Sequence, residues 1–303
     1  MQVIFLGTGG SIPTPKRALS SIAVRRQNEL LLFDCGEGTQ RQMIQTGIGF
    51  HREAKVFVTH MHGDHVLGLP GLLQTMSLLD RKKKLQIYGP QGLEAFVEAI
   101  NQTVRFSLTF PLQVFEIEAG MVCEEKEYTV QAAQSNHLDN SLAYAFVEKP
   151  RPGRFNTQKA KKQGVPEGPL WSKLQRGSQV TLPNGIIVTP EMVLGPPRPG
   201  RKIVYSGDTG LSENIVTLAE KADLLIHEAT FGDELIERAV EDGHSTPSMA
   251  AETAKKAGAK LLILTHISAR YKDAGLLLEQ AIKIFVNTKV AEDFMRLELP
   301  FQD

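Results

Sequence analysis

Histidine and aspartate are concentrated in one short stretch of the sequence, Thr59-His60-Met61-His62-Gly63-Asp64-His65. The stretch directly follows an apolar run typical of a buried strand. In extended backbone the side chains alternate, so His60 and His62 can point the same way. Gly63 permits a tight bend that aims Asp64 and His65 in another direction. Imidazole with carboxylate suits zinc and disfavours the all-oxygen cages of calcium. The alternative is a solvated loop that is merely rich in histidine.

Three further residues follow strand-like runs in the same way: His137, Asp208 and His266. Each alone has a simpler interpretation, either a hydrogen-bonded structural histidine or a turn-forming aspartate. Together they favour a metal site, because polar residues on loops at one edge of a sheet are how α/β domains build sites. Five of the eight histidines in the chain fall at these candidate ligand positions.

Short apolar runs alternate with helical patterns along the whole chain. We predict strands at 3–6, 29–33, 55–59, 85–88, 128–133, 142–147, 186–189, 202–206, 223–227, 261–265 and 294–299. We predict helices at 68–79, 92–102, 213–221, 247–257 and 275–286. The helix at 247–257 has a clear start, because Ser245 or Thr246 can cap it and Pro247 suits its first turn. Interleaved strands and helices predict a layered α/β domain.

The composition is that of an ordinary soluble protein and does not indicate a partner. The 303 residues are 42% hydrophobic, and 34 basic residues balance 34 acidic ones. With only two cysteines, Cys35 and Cys123, a reducing compartment is favoured over a disulfide framework. We read no signal peptide and no membrane span, so we expect a cytoplasmic protein without a membrane partner.

One segment, residues 149–176, departs from this balance. It contains eight lysines or arginines and a single acid, Glu167, together with seven glycines or prolines. Because such a segment has little apolar material to bury, we expect a protruding basic arm outside the core. The predicted organisation is thus one domain over residues 1–303 with a flexible arm at about 149–176.

The pattern His-x-His-x-Asp-His after a strand, followed later by His, Asp and His, resembles the metallo-β-lactamase superfamily. The resemblance implies an αββα sandwich with a dinuclear zinc site. Its implied ligands are His60, His62 and His137 for one zinc, Asp64, His65 and His266 for the other, and Asp208 bridging both. Asp34 matches a position that supports ligand orientation, although a turn or capping role is equally consistent with it.

Finer motifs are similar to those of the ribonuclease Z family, the endonucleases that process the 3′ end of transfer RNA. They occur in order from the first strand to the last: Gly7-Thr8-Gly9-Gly10-Ser11 with Pro13-Thr14, Gly36-Glu37-Gly38-Thr39-Gln40, Gly68-Leu69-Pro70-Gly71-Leu72, Glu148-Lys149-Pro150-Arg151-Pro152-Gly153-Arg154-Phe155, His227-Glu228-Ala229-Thr230-Phe231 and Gly243-His244-Ser245-Thr246. The resemblance implies a zinc-dependent endoribonuclease that removes the 3′ trailer of precursor tRNA. The cut would follow the discriminator nucleotide, by attack of a metal-activated water, and leave a 3′-hydroxyl.

Three residues match catalytic positions of that family. His244 is expected to contact the scissile phosphate or protonate the leaving oxygen. Glu228 would hold His244 and raise its pKa, and Asp64 would act as general base besides binding metal. His244 could instead only begin a helix, and Glu228 could form a structural ion pair. His227 is interpreted as structural, and His51 lies in no motif.

The resemblance also gives the basic arm a role in gripping tRNA, because lysine and arginine release counterions from a phosphate backbone. The residues implied in RNA binding are Lys159, Lys161, Lys162, Gly164, Pro166, Gly168 and Pro169. The resemblance further implies a homodimer, in which the arm serves the opposite subunit. It also implies two Zn²⁺ per subunit, or Mn²⁺ or another divalent ion. Pro15-Lys16-Arg17-Ala18 is a candidate contact for the acceptor end.

Two other functions fit the same ligands. The first is a small-molecule phosphodiesterase, sulfatase or lactonase on the same scaffold. The basic arm argues against it, because a small substrate needs no distant handle. The second is an RNA-binding module without activity, which would have no reason to keep a complete ligand set.

Overall fold

Residues 1–301 are described by the structure, a computed structural model of the chain. The strands are β1 Gln2–Gly7, β2 Gly9–Gly10, β3 Ser21–Arg26, β4 Glu29–Phe33, β5 Glu53–Phe57, β6 Leu85–Gly89, β7 Leu112–Glu116, β8 Gly120–Glu124, β9 Tyr128–Gln134, β10 Leu142–Glu148, β11 Val180–Thr181, β12 Ile187–Val188, β13 Lys202–Tyr205, β14 Leu224–Glu228, β15 Leu262–Thr265, β16 Ile267–Ser268, β17 Thr288–Val290 and β18 Arg296–Glu298.

The helices are α1 Thr39–Thr46, α2 Gly63–Val66, α3 Leu69–Leu78, α4 Leu93–Thr103, α5 Thr157–Lys162, α6 Pro169–Gln175, α7 Pro190–Val193, α8 Glu213–Leu218, α9 Ile236–Glu241, α10 Pro247–Ala257 and α11 Gly275–Ile282, with a 3₁₀ turn at Asp233–Leu235. None of the helices within residues 1–301 has the length and apolar character needed to cross a membrane.

The larger of two compact units, Met1–Val147 with Lys202–Pro300, contains two seven-stranded sheets. The first sheet has the strand order β18-β1-β3-β4-β5-β6-β7, and the second has the order β17-β15-β14-β13-β10-β9-β8. Strands β4 to β7 run parallel in the first sheet, as do β13, β14, β15 and β17 in the second.

Alternating side chains divide each sheet between an inner and an outer core. In β1, Val3 and Phe5 pack into a cluster shared with Tyr144 and Ile226 of the other sheet. The neighbouring Ile4 and Leu6 face the opposite way, onto residues of α1, α3 and α4. The outer face of the second sheet packs on α8, α10 and α11 through an alanine-rich cluster. This four-layer αββα arrangement is the metallo-β-lactamase fold and confirms the predicted fold class.

Local sequence patterns predicted many of the elements correctly. The bend after His62, however, has a different cause from the one expected. Gly63 does not adopt a positive φ. It begins the short helix α2, and this helical turn carries Asp64 and His65 away from the direction of His60 and His62. The expectation of a glycine-specific bend was therefore wrong.

Glu148–Arg201 forms, with Phe301, the second compact unit. It includes the predicted arm at 149–176 and continues to Arg201. The expectation that this segment buries no core was wrong, because Ala160, Val165 and Leu174 pack with residues of β11 and β12 in an apolar cluster. The prediction of one domain with an RNA-binding arm stays a prediction.

Candidate metal centre

The candidate ligands all follow strands of the two sheets. The cluster from His60 to His65 comes after β5, and His137 comes after β9. Asp208 and His266 come after the parallel strands β13 and β15. These side chains converge, so that the ligand atoms of each group of three lie within 4.8 Å of one another.

The first group of three consists of His60, His62 and His137. Nε2 of His137 lies 3.2 Å from Nδ1 of His62. Two nitrogens bound to one tetrahedral zinc at about 2.0–2.1 Å would be about 3.3 Å apart. The spacing therefore fits ligands that share a zinc-sized ion.

The second group consists of Asp64, His65 and His266. Nε2 of His65 lies 3.3 Å from Nε2 of His266, and Oδ2 of Asp64 lies 3.2 Å from the same His266 nitrogen. These separations again match ligand atoms arranged around one ion.

Asp208 lies between the two groups. Its Oδ2 is 3.3 Å from Nε2 of both His65 and His266, and 3.7 Å from Nε2 of His60. A carboxylate that faces ligands from both groups has the position expected of a bridge between two ions.

Two buried atoms at this centre have no hydrogen-bond partner: Nε2 of His60 and Oδ1 of Asp208. A buried polar atom without a partner is costly, and such sites in native proteins call for an explanation. Both atoms are metal-ligand types, so a bound cation explains them. The donor set, imidazole and carboxylate, also fits zinc.

Electrostatics at His65 favour a cation as well. Burial alone would lower the pKa of His65, but the carboxylates of Asp208 and Asp34 outweigh it and raise that pKa well above its ordinary value. The field at this position therefore attracts positive charge, which a divalent ion would satisfy.

Asp34 orients the second group from behind. Its Oδ2 lies 2.7 Å from Nδ1 of His65 and accepts a 2.8 Å hydrogen bond from the Tyr205 hydroxyl. Its Oδ1 accepts 2.7 Å and 3.0 Å hydrogen bonds from the backbone N–H and the hydroxyl of Thr59. Because a carboxylate only accepts, Nδ1 of His65 donates a proton to Asp34, and Nε2 is the atom that would bind an ion in place of its own proton.

The other histidines are oriented in the same manner. Nδ1 of His137 lies 3.0 Å from the carbonyl oxygen of Gly243, and Nδ1 of His266 lies 2.7 Å from Oγ1 of Thr230. Thr59 Oγ1 lies 3.0 Å from Nδ1 of His60. Partners on the far nitrogen fix the tautomer that leaves the near nitrogen free to bind metal.

His244 and Glu228 form a pair beside the metal groups. Nδ1 of His244 lies 2.7 Å from Oε1 of Glu228 and 3.9 Å from Oδ2 of Asp208. Burial lowers the pKa of His244, but the Glu228 carboxylate outweighs it and raises the pKa to about 9. Glu228 itself is held by the backbone N–H groups of Thr209 and Thr230. The imidazole is thus an available acid at neutral pH.

The remaining candidates lie apart from this geometry. Nδ1 of His227 is 2.8 Å from its neighbour's carbonyl oxygen, and the buried side chain fits the structural role expected of it. His51 is exposed. Sequence reasoning missed the supporting roles of Thr59, Thr230 and Tyr205. Thr230 stands inside the quoted His227–Phe231 motif, which was a usable signal, whereas Tyr205 carried none.

The predicted RNA-binding residues lie in the second unit. Lys159, Lys161 and Lys162 are exposed on α5, and Lys161 forms a 2.7 Å ion pair with the exposed Glu167. Gly164, Pro166, Gly168 and Pro169 are exposed between α5 and the start of α6.

Comparison with known proteins gives matches along the whole chain. Residues 1–150 match the family model described as anti-Pycsar protein Apyc1, and residues 169–267 match the β-lactamase superfamily domain. A protein of Methanosarcina acetivorans named ribonuclease Z is 48% identical over 303 residues, which covers 100% of this chain and 99% of that one. A ribonuclease Z of Myxococcus xanthus is 47% identical over 306 residues, with 100% and 99% covered.

Solved structures show the same similarity. The structure of human tRNase Z, short form, superposes with a TM-score of 0.75 at 32% identity and covers 99% of this chain and 100% of that one. A long-form RNase Z from yeast gives a TM-score of 0.65 at 19% identity, covering 98% of this chain and 41% of that one, which shows the shared fold.

Proposed function

Because the chain belongs to the ribonuclease Z family and is a metal-dependent endoribonuclease, we propose that it removes the 3′ trailer of precursor tRNA. The cut would follow the discriminator nucleotide and leave a 3′-hydroxyl. The observation that carries this proposal is the 48% identity over the entire chain to a ribonuclease Z. The intact set of converging ligands supports catalysis and argues against a module that only binds RNA.

The centre is proposed to hold two Zn²⁺ per subunit, with Mn²⁺ as an alternative. His60, His62 and His137 would bind one ion, Asp64, His65 and His266 the other, and Asp208 both. When bound, two such ions supply an activated water at neutral pH and neutralise charge on the attacking and leaving oxygens of a phosphodiester.

Asp64 is proposed as the general base. Burial raises its pKa, but its hydrogen bond with His266 and the nearby charge of His65 outweigh burial and hold the pKa below its ordinary value. The carboxylate is therefore ionised at neutral pH, and its side chain is still 12% exposed to solvent. An ionised, accessible carboxylate can orient the attacking water and accept its proton.

His244 is proposed as the acid that meets the charge developing on the phosphate and the leaving oxygen. Glu228 keeps it protonated through the 2.7 Å contact. With Nδ1 committed to Glu228, Nε2 of His244 is the atom that can donate to substrate. The Glu228–His244 pair resembles other acid–base histidines that are oriented by a carboxylate.

The second unit is proposed to bind tRNA through its exposed lysines. Its exposed lysines Lys159, Lys161 and Lys162 form a local positive charge, and Gly164, Pro166, Gly168 and Pro169 shape the turn that follows them. Affinity from such lysines is independent of sequence and falls with salt. This suits a folded RNA, whose deep major groove is hard for side chains to read.

The acceptor end is proposed to contact Pro15-Lys16-Arg17-Ala18. Pro15, Lys16 and Arg17 line a cavity of about 1010 Å³ together with Ser268, which lies two residues after His266. Lys272 and Lys289 line the same cavity and would contact phosphates, whereas Asp273, Glu292 and Asp293 on that lining offset most of its positive charge.

A homodimer is also proposed. Ile44 on α1 and Leu78 on α3 are apolar side chains with 62% and 82% of their surface exposed, and each is a candidate contact with a second copy. Light scattering tests this state. The unaltered chain should be a dimer, and the double variant Ile44→Glu, Leu78→Glu should be a monomer.

The rival function, a small-molecule phosphodiesterase, sulfatase or lactonase, is separated by one comparison of substrates. Purified protein is supplied with precursor tRNA and with a small aryl phosphodiester under the same metal concentration. The proposal expects kcat/KM to be at least about a thousandfold higher for the tRNA, because remote binding energy contributes to the rate. Efficient turnover of the small ester with an intact tRNA would favour the rival.

A further inference from the structure

A single carboxylate closes both ends of the loop formed by residues 8–18. The Thr8 hydroxyl donates a 2.7 Å hydrogen bond to Oδ1 of Asp293, and the backbone N–H of Ala18 donates one of 2.7 Å to Oδ2. Nε2 of Gln42 also donates to Oδ2 at 3.0 Å. Both oxygens of Asp293 are therefore in use, and the two loop ends that they hold, Thr8 and Ala18, lie 285 and 275 positions away in the chain.

Arg17 reinforces the same closure from inside the loop. Its guanidinium donates 2.7 Å hydrogen bonds to the Thr8 hydroxyl and to the carbonyl oxygen of Ala291. Arg17 in the loop and Asp293 in the segment before β18 thus hold the loop and that segment together.

The middle of loop 8–18 contacts two of the proposed metal ligands. The backbone N–H of Ser11 donates a 2.7 Å hydrogen bond to Oδ2 of Asp64. Gly9 and Gly10 pair with Ile267 and Ser268, the two residues after His266. A Cβ atom added to Gly10 would lie 2.6 Å from Cε1 of the His266 ring, so the loop backbone packs directly on that ligand.

The contacts from loop 8–18 involve ligands of one metal group. Asp64 and His266 belong to the group that also contains His65. The other group is oriented by different residues, since Thr59 contacts His60 and the Gly243 carbonyl contacts His137. Loop 8–18 therefore supports the two metal positions unequally.

We propose that Asp293 is a positioning residue that sets the affinity of the metal position formed by Asp64, His65 and His266. It acts through loop 8–18 and contacts no ligand itself. The inference rests on the proposed dinuclear site. Residues behind the ligands commonly change metal affinity by about 10–100-fold when they are lost.

The first test is Asp293→Asn. The amide is uncharged and has one acceptor oxygen, so it cannot accept from Thr8, Ala18 and Gln42 as the carboxylate does, and it holds the loop less firmly. Metal-free protein is titrated with Zn²⁺ in competition with a chromophoric chelator. We expect two equivalents in both proteins, with one bound about 10–100-fold more weakly in the variant and the other unchanged.

The affected position is identified in two backgrounds, each with one group disabled. In His137→Ala, the remaining ion is held by the group that contains His266, and adding Asp293→Asn should weaken it. In His266→Ala, the remaining ion is held by the other group, and adding Asp293→Asn should leave its affinity unchanged. Equal weakening in both backgrounds would show a general structural effect and overturn the proposal.

A second pair of variants keeps the test informative if Asp293→Asn does not fold. Thr8→Val removes the hydroxyl that donates to Asp293 and should weaken the same ion, whereas Thr8→Ser keeps the hydroxyl and should bind like the unaltered chain. Asp223→Asn is a matched control, since Asp223 accepts from the backbone N–H of Lys202 at 2.8 Å and pairs with Lys260, in the segments that lead into β14 and β15. It should lower the melting temperature without changing either metal affinity.

The two proposals fail separately. Fewer than two equivalents in the unaltered protein would remove the dinuclear site and the inference with it. Two equivalents in the unaltered protein, with the same affinities in Asp293→Asn and Thr8→Val, would overturn the role of Asp293 alone.

Discussion

Oδ2 of Asp34 lies 2.7 Å from Nδ1 of His65, although 31 residues separate them in the chain. Both side chains are fully buried. The contact shows that Asp34 orients a proposed ligand, which decides between the two roles that its position in the sequence allowed. Asp34 also adopts a positive φ of 58°, which aspartate tolerates better than most residues.

Asp34→Asn should lower the affinity for divalent metal by about 10–100-fold. The amide is uncharged and has one acceptor oxygen, so it cannot accept from Thr59, His65 and Tyr205 together as the carboxylate does, and His65 is oriented less firmly. Competition titration with a chelator measures the effect, and Asp80→Asn at an exposed position is the control. Unchanged affinity in Asp34→Asn would show that this hydrogen bond does not tune the site.

His244→Ala should slow cleavage of precursor tRNA by about 10²–10⁴-fold, the usual size of an acid–base contribution. Its metal content, measured by mass spectrometry of the purified protein, should equal that of the unaltered chain. His51→Ala, which removes an exposed histidine, should change neither quantity. Loss of metal from His244→Ala would make that residue a ligand instead of an acid.

Glu228→Gln should shift the alkaline limb of the pH profile of kcat/KM to lower pH. The Glu228 carboxylate stabilises protonated His244 and raises its pKa to about 9, so removing the negative charge lowers that pKa. Because the proposed acid works only when protonated, activity is then lost at a lower pH. Superimposable alkaline limbs for the two proteins would separate Glu228 from the protonation of His244.

Replacing Lys159, Lys161 and Lys162 together by alanine should raise KM for precursor tRNA and leave turnover of a small phosphodiester unchanged. The salt dependence of log Kd should also become shallower by roughly 0.7–0.9 per lost phosphate contact. Point substitution is preferable to deleting residues 155–170, because deletion would remove Ala160 and Val165 from the apolar cluster of that unit.

The matched control for the lysine triple variant is the exposed run Lys82, Lys83 and Lys84, replaced in the same way. It removes the same charge from the other unit. Equal loss of tRNA affinity in the two triple variants would mean that net charge, and not the second unit, is responsible.

Both cysteines should resist alkylation in the native protein at pH 8. Burial raises the pKa of the Cys35 thiol to about 12 and that of Cys123 to about 11, so each is protonated and a poor nucleophile at that pH. Iodoacetamide labelling followed by mass spectrometry should show slow reaction in buffer and rapid reaction of both in denaturant. Fast labelling of Cys35 in the native state would contradict its burial.

Local sequence signals predicted elements that are bounded by their own residues. Strand β4, Glu29–Phe33, and helix α10, Pro247–Ala257, have the predicted bounds, the latter because Thr246 caps it and Pro247 occupies its first turn. Strand β3, Ser21–Arg26, was missed, since Arg25 and Arg26 interrupt its apolar run and its place depends on pairing with β1 and β4.

Residue types and motifs predicted which residues form the site, but they did not predict which of those residues contact one another. The ligand positions came from the spacing of His60 to His65 and from the resemblance of later motifs. The Asp34–His65 contact and the closure of loop 8–18 by Asp293 join residues far apart in the chain, so no local pattern carries them. The apolar cluster around Ala160 was hidden because its members are spread among charged residues and glycines.

The most direct test of the account is cleavage of a precursor tRNA that carries a 3′ trailer, with Zn²⁺ or Mn²⁺ supplied, followed by mapping of the new ends. The account predicts a single cut after the discriminator, with a 3′-hydroxyl on the tRNA and a 5′-phosphate on the trailer, and no cut by Asp64→Ala although that variant still binds the RNA. An intact precursor alongside turnover of a small ester, or cleavage retained by Asp64→Ala, would contradict it.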